Sequence, residues 1–421
     1  MRVAIVTEFA YPVLGGVSEH VHFLSRELVA LGHEVSVVTG RLDDAFAATD
    51  PGDRENEIQH GYRTVRVGHS MRLVSNGSIA HMARGWRLQA QLGRALDGFD
   101  VVHAQVPHAP TLPQLAIRAS IAPVTVGTFH SYFEGRYVSL VKAFRPWLGN
   151  VLRRMDRLIA VSDVTRDLFE PLFPGPWQVI PNGIDADLFR PLRAGERRPE
   201  GPPRVLYVGR LEPRNALDTL LEALVLLRRE GRDAIVQVVG DGPMRERFQA
   251  LARALGVDDR VEWLGPRLGD RPRLYREASV FACPCLIASF GVVLLEALAS
   301  GTPIVATDNI GFRQVIRDGM PASFVPPREP VALARQIGAL LDDPARGAEW
   351  GRTGRRLAVE RYAWPQVAAE VAAVYEEVLH QNGPARRPPV TFGRRYPARP
   401  PWRPVEVARA GAPAAPEGAP Q

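Results

Sequence analysis

One carboxylate placed where carboxylates are costly is the clearest chemical signal in this chain. Ala288 to Ala306 reads as a turn, a short helix, a corner and a strand. Ser289-Phe290-Gly291 breaks an apolar run, and Val292 to Ala299 is apolar nearly all round, as in a buried helix. Gly301 and Pro303 end that helix before Ile304-Val305-Ala306. Glu296 sits in its middle. A buried carboxylate needs a partner. A ligand with hydroxyl groups, such as a nucleotide ribose, would supply one, and so would the protein backbone. A second signal is Arg210, beside Gly209 at the end of an apolar stretch. A guanidinium there can grip phosphate through forked N–H bonds, or pair with Glu212. Gly15-Gly16 and Gly240 each stand between a predicted strand and a helix. At such a turn the backbone approaches a phosphate closely, although glycine also serves a plain tight turn. His130 closes the run Gly127-Thr128-Phe129-His130-Ser131, at a strand end facing the expected cleft.

The elements that would position these groups alternate. The expected strands of the first half are Val3–Thr7, Glu34–Thr39, Arg63–Val67, Val101–Ala104, Val124–Thr128, Arg157–Val161 and Gln178–Ile180. Helices are expected over Val17–Leu31, Ala83–Leu96, Thr111–Ala119, Leu140–Met155 and Val164–Phe173. The second half repeats the rhythm with strands Arg204–Val208, Ala234–Val239, Val261–Leu264, Val280–Pro284, Pro303–Thr307 and Ser323–Val325. Its helices include Asp218–Glu230, Pro243–Leu255, Arg271–Ala278 and Pro330–Asp342. This pattern predicts an α/β protein of two Rossmann-like, doubly wound parallel sheets facing a cleft, with ligands at the carboxyl ends of the strands. The expected parts are a first domain over 1–190, a Pro/Gly-rich linker over 191–203 and a second domain over 204–362. A returning helix over 363–382 and a disordered Pro/Arg/Ala-rich tail over 383–421 complete the chain.

Composition narrows the function. The chain has 421 residues, 46% hydrophobic and 23% charged, enough for two cores. The net charge is +6, but the tail from Gly383 holds seven Arg against two Glu. The folded body is therefore near neutral, which argues against nucleic acid as a partner. No apolar run reaches the length of a membrane span, and the start lacks the pattern of a signal peptide. Cys283 and Cys285 read as buried thiols in a reducing cytoplasm; two ligands do not make a zinc site. There is neither an aspartate-rich metal motif nor a pair of acids suited to glycoside hydrolysis.

Several motifs together resemble the family 4 retaining glycosyltransferases, which have the GT-B fold. They are L-G-G-V-S-E-H-V from Leu14, G-T-F-H from Gly127, P-N-G-I-D from Pro181, V-G-R-L-E-P-R-N from Val208, V-G-D-G from Val239, and the Glu296 segment. The resemblance spans Met1 to about Leu379. Within the family it is strongest to phosphatidylinositol mannosyltransferases, through Asn76-Gly77-Ser78, His108-Ala109-Pro110, Ala143–Leu148 and Ile159–Ser162. It implies metal-independent transfer of a sugar from a nucleotide-sugar donor, GDP-mannose first, to a lipid or glycan hydroxyl. It places the protein in the cytoplasm, at the inner face of the membrane, with Lys142, Arg145, Arg153, Arg154 and Arg157 beside Phe144, Trp147 and Leu148 toward anionic lipid. A solvated helix face is the plainer reading of that basic stretch.

The resemblance also implies residue roles. His130 would contact the donor sugar, and Arg210 would stabilise the leaving diphosphate; these are the expected catalytic residues. Gly15, Gly16, Arg214, Asn215 and Gly240 would surround the diphosphate and nucleotide. Ser289, Phe290, Gly291 and Val292 would line the donor beside Glu296, which would hold the ribose. Arg136 and Tyr137 would face the acceptor. The chain departs from the pattern at three points: Ala288 stands where the family has a first Glu, Asn215 where it has a Lys, and Ala216 where it has a Gly. Ala288 and Asn215 motivate the alternative, a degenerate GT-B protein that binds nucleotide or a partner without catalysis.

Overall fold

The computed structural model describes residues 1–13, 15–41, 58–59, 61–75, 78–85, 87–109, 111–133, 136–267, 269–317 and 319–386. The expected disordered tail beyond Arg386, and Asn76, Gly77 and Pro110, lie outside these residues.

The first sheet contains β1 (Arg2–Val6), β2 (Glu34–Gly40), β3 (Ile58–Gln59), β4 (Tyr62–Val67), β7 (Val101–Gln105), β8 (Val124–Phe129), β9 (Arg157–Ala160) and β10 (Trp177–Val179). Their spatial order is β10-β9-β8-β7-β1-β2-β4-β3, all parallel except the short edge pair β3–β4. The second sheet contains β11 (Arg204–Val208), β12 (Ile235–Val239), β13 (Val261–Gly265), β14 (Val280–Cys283), β15 (Ile304–Thr307) and β16 (Ser323–Val325), ordered β13-β12-β11-β14-β15-β16 and wholly parallel. The strands are near-continuous apolar runs because both faces are covered; all four residues of β14 are buried. In each sheet the strand order reverses once, between β1 and β7 and between β11 and β14. Ligands of such sheets bind in the crevice at that reversal, beyond the carboxyl ends of the strands. The loops carrying Gly15-Gly16, Arg210 and Ser289 leave β1, β11 and β14 there.

The expected helix over Ala83–Leu96 is incorrect in its first part. Ala83 belongs to β6 (Ser78–Arg84), which pairs antiparallel with β5 (His69–Ser75), and only Leu88–Ala95 is helical. The two strands flank Asn76-Gly77, the residue pair that most favours a two-residue hairpin, and Gly85, at φ 157°, precedes the helix. The helix expected over Leu140–Met155 starts earlier, at Arg136, and ends at Leu152. A further helix, Pro344–Tyr362, has no counterpart in the sequence reading. Its glycines and arginines blur the apolar period. Gly351 and Gly354 let it lie tightly against Gly301 and Leu298, so it backs the helix that carries Glu296.

The last helix, Trp364–Asn382, lies on the first domain. Trp364, Val367, Val371, Val374, Tyr375 and Val378 join Val3, Ile5, Leu24 and Val101 in one apolar cluster. The crossing is clamped by the Pro181–Asp185 turn. Ile184 N–H donates to Tyr362 O at 2.7 Å, and Trp364 N–H donates to Ile184 O at 3.2 Å. A Cβ on Gly183 would collide with the Trp364 ring. Among the described residues no helix is long and apolar enough to cross a membrane.

Candidate functional site

Helix Gly16–Ala30 follows β1 and begins without a side-chain cap, so its first N–H groups are open. A Cβ at Gly15 or Gly16 would meet no protein atom within 4 Å. Packing therefore demands glycine at neither position. A cleft opens beside this turn, between the two domains. Gly16, Glu19 and His20 line one side, Val292 and Glu296 the other, and Asn182 and Trp364 close the back.

Glu296 is 2% exposed. Its partner is Arg271, at the start of helix Arg271–Glu277, whose guanidinium lies 2.9 Å from Glu296 Oε1 and 2.9 Å from Glu19 Oε1. One cation thus bridges a carboxylate of each domain. Glu296 Oε2 and the buried hydroxyl of Tyr275 face no partner but each other, and the hydroxyl lies close enough to favour the charged carboxylate. Burial pushes the Glu296 carboxyl above the usual range, Arg271 pulls it back, and Glu19 adds to the rise. Burial works against the Arg271 charge, but Glu296 and Glu19 outweigh it and hold the guanidinium protonated. A carboxylate oxygen on the cleft wall can accept hydroxyl hydrogens.

The arginine loop follows β11. Glu212, 4% exposed, holds both arginines by their Nε atoms: Arg210 at 2.6 Å and Arg214 at 3.1 Å. Both arginine side chains are nearly half exposed. The pairing of Arg210 with Glu212, one of the two alternatives for this residue, is present. It orients the guanidinium without hiding it. Asn215 is turned into its own loop: its amide donates to Arg210 O at 2.6 Å and accepts from Cys285 Sγ at 3.3 Å. Gly240, at φ 132°, brings the loop after β12 against Gly209, where a Cβ would strike the carbonyl. Leu286 N–H donates to Arg214 O at 2.8 Å, joining the arginine loop to the segment before Ser289. Both cysteines are buried and unpaired.

Ser289 touches the other domain. Its hydroxyl accepts from Tyr132 N–H at 3.2 Å, and its carbonyl accepts from Ser162 Oγ at 2.9 Å. Phe290 is buried against Tyr362, and Gly291, at φ 109°, packs where a side chain would meet Phe312. Ala288 packs its methyl on the apolar cluster of the second domain.

His130 stands directly after β8. Its Nε2 is 2.7 Å from Gln105 Oε1, and its ring meets His20 edge to face at 4.6 Å. Burial holds His130 well below its ordinary range and His20 at about 4, so both rings are neutral at pH 7. His20 Nδ1 is 2.9 Å from Asn182 Oδ1, and its Nε2 is buried without a partner.

Gly16, Val292 and Glu296 thus share the cleft, and His130 reaches it through His20. Arg210, Arg214, Asn215 and Gly240 form a separate cluster, tied to the Ser289 loop, and do not line the cavity. The side chains of Arg136, Tyr137, Phe144 and Trp147 lie outside the described residues. Sequence reading passed over Glu19, His20, Gln105 and Arg271. Glu19 and His20 did carry a signal, standing in the first turn after Gly15-Gly16. Arg271 carried none, because Glu19 and Glu296 are distant in sequence, and nothing near Gln105 pointed to His130, 25 residues away. Among the described residues no three metal-ligating side chains cluster.

Comparison with known proteins agrees with this arrangement. Residues 14–188 match the family model described as Glycosyltransferase Family 4, and residues 189–357 match the one described as Glycosyl transferases group 1. The chain is 32% identical over 386 residues to the phosphatidyl-myo-inositol mannosyltransferase of Mycobacterium leprae, covering 90% of this chain and 97% of that protein. Among solved structures, sucrose-phosphate synthase from Thermosynechococcus elongatus superposes with a TM-score of 0.70 at 23% identity, covering 90% of this chain and 100% of that one. The Anabaena protein HepE, solved with UDP and glucose, gives 0.69 at 19% identity, covering 89% and 99%. These two likenesses speak to the fold alone. The chain is a glycosyltransferase of GT-B fold and belongs to glycosyltransferase family 4.

Proposed function

We propose that this glycosyltransferase moves mannose from GDP-mannose to a hydroxyl of a phosphatidylinositol-type lipid, with retention at the anomeric carbon and without a metal ion. The observation that carries the reading is one interdomain cleft with two chemistries on its walls. An uncapped helix N-terminus faces a buried carboxylate, and a neutral histidine stands behind them. The bond from sugar C1 to the phosphate oxygen breaks, and the diphosphate departs with the electron pair. Arg210, Arg214 and the amides after Gly15 stabilise that charge. Glu296 anchors the ribose once Arg271 swings aside, His130 orients the sugar, and Ser289 to Val292 frame it. The acceptor oxygen bonds to C1 on the face the leaving group vacates, and its proton passes to a phosphate oxygen of the donor. Closing the domains excludes water, which would otherwise hydrolyse the donor. The named activity of the M. leprae relative supports the lipid acceptor. Exposed Lys142, Arg145 and Arg153 give the first domain positive charge toward an anionic surface.

The decisive experiment measures GDP released from GDP-mannose with chelator present, over phosphatidylinositol vesicles and over phosphatidylcholine vesicles, and then the anomer of the product by NMR. Turnover only with inositol lipid, giving the α-anomer, is expected. Equal turnover with UDP- or ADP-sugars overturns the donor, and a requirement for added Mg²⁺ overturns the metal-free mechanism. A second reading rests on Asn215 and Arg271: the amide is engaged in its own loop, and the ribose carboxylate already has a cation. It describes a protein that binds nucleotide without transfer. Thermal stabilisation by GDP with no turnover on any donor would favour it; a ligand at about 100 times its dissociation constant adds about 2.7 kcal/mol.

A further inference from the structure

Behind His130 runs a buried chain of polar side chains. Gln105, the last residue of β7, places Oε1 2.7 Å from His130 Nε2. Its Nε2 lies 3.2 Å from His103 Nε2, which is also 2.6 Å from Thr128 Oγ1. His103 Nδ1 lies 2.6 Å from the hydroxyl of Tyr375, on the last helix. Gln105, His103 and Tyr375 are each 0% exposed and Thr128 is 1%.

The chain has a direction. An amide accepts at one end and donates at the other. With Oε1 toward His130, that ring must carry its hydrogen on Nε2. With the NH₂ toward His103, the His103 Nε2 is the lone-pair nitrogen, and its single lone pair is shared between the Thr128 hydroxyl at 2.6 Å and the amide at 3.2 Å. His103 then carries its hydrogen on Nδ1 and donates to Tyr375. Only Nδ1 of His130 remains as an acceptor. The strand end that aims Gln105 is itself strained: Val106, a β-branched residue, sits at φ 56°, and its N–H donates to Thr128 O at 2.9 Å.

We propose that Gln105 is a positioning residue for sugar transfer. Backed by His103 and Tyr375, it fixes His130 as the Nε2–H tautomer and leaves Nδ1 to accept a hydrogen bond from a sugar or acceptor hydroxyl. This rests on the reading of His130 as a site residue. The titratable groups that act on His130 are His20 from helix Gly16–Ala30, His103 from β7 and His108 from the loop after it; no carboxylate is among them. The first two reach it by ring contact and through the amide, and burial keeps His103 and His108 neutral, at about 3 and about 4. An amide relay therefore sets a tautomer without adding charge, unlike the carboxylate that commonly orients a catalytic histidine.

The test uses the full chain with ¹⁵N-labelled histidine. His130→Asn assigns the His130 signals, and turnover is followed as GDP released from GDP-mannose over phosphatidylinositol vesicles. Wild-type His130 is expected as a neutral Nε2–H ring between about pH 6 and 8. Gln105→Met should give mixed tautomers and lower kcat by about 10- to 100-fold, with KM for the donor changed less than about threefold. Gln105→Glu keeps the accepting oxygen. It should restore the tautomer and part of kcat, and add an acid-side fall in the pH profile as the carboxylate favours the imidazolium. Tyr375→Phe should act weakly in the same direction. An Nδ1–H ring in the wild type, or a folded Gln105→Met with tautomer and kcat intact, would falsify the relay. Full turnover in His130→Asn would instead remove the reading of His130 on which the relay rests.

Discussion

Glu8 shows how a residue outside the reacting groups shapes the site. It leaves β1 and is 5% exposed, yet its carboxylate is bound on two sides. Leu112 N–H donates at 2.9 Å, at the start of helix Leu112–Ala119, and Ala83 N–H donates at 3.1 Å. Burial raises its pKa from 4.5 to about 7, and the two amides limit the rise. The folded state therefore holds this proton more tightly than the unfolded state. The contribution is full below about pH 4.5 and is lost as pH rises through about 7, a change of about 3 kcal/mol. Urea titrations between those limits should show stability falling with pH, and Glu8→Gln should flatten the slope. An unchanged slope would mean that Glu8 does not titrate there. At Gly16 the expectation is different in kind. A Cβ meets nothing in the protein, so Gly16→Ala should keep stability within about 0.5 kcal/mol. Calorimetry with GDP-mannose should nevertheless show affinity reduced about tenfold or more, because the methyl stands where a phosphate would approach.

The element that depends most on its neighbours is the last helix. It joins the second domain's final segment to the first domain's core, and the Pro181–Asp185 turn holds the junction. Asp185 serves three partners there: the N–H groups of Asp187 and Leu188 at 3.1 and 2.9 Å, and Arg26 at 2.9 Å. Gly183 lies flat under the Trp364 ring. Gly183→Ala should destabilise the protein by about 2 kcal/mol through overpacking. It should also loosen residues 364–382 in hydrogen exchange before the sheets. A variant with wild-type melting and exchange would show that the ring moves aside freely.

At the scale of the whole molecule, the Glu19–Arg271–Glu296 triad ties the two domains together across the cleft. Glu19 belongs to the first domain, Arg271 and Glu296 to the second, and the Arg271 and Glu19 side chains are less than a fifth exposed. Removing the cation leaves two carboxylates facing across the cleft, one of them buried. Arg271→Met should therefore cost about 3 kcal/mol and shift the ligand-free protein toward an open form. Small-angle scattering should report a larger radius of gyration than wild type, and Glu19→Gln combined with Arg271→Met should recover part of the difference. Equal radii in all three proteins would mean that the apolar contact of Val161, Ile184 and Phe189 with the second domain, with the Ser289 hydrogen bonds to Tyr132 and Ser162, holds the closure without the triad.

The sequence by itself determined the two parallel sheets, because a strand covered on both faces must be apolar along its length and a crossover must be helical. It also marked the loops that bear the chemistry, since glycines at strand-to-helix turns and a carboxylate in an apolar helix are local signals. The family followed from several such signals in one order. Other features had no local trace. The β5–β6 hairpin was passed over, and its last two residues, Ala83 and Arg84, were read into the following helix, because its alternation is short, although Asn76-Gly77 announced it. Helix Pro344–Tyr362 was hidden by glycines whose purpose is close contact with Gly301 and Leu298. Arg271 found Glu19 and Glu296, Gln105 found His130, and its strand neighbour His103 found Tyr375, only once the chain had closed. Those partners are set by which strand ends and helix faces meet in three dimensions. The protonation pattern of the site therefore belongs to the tertiary structure.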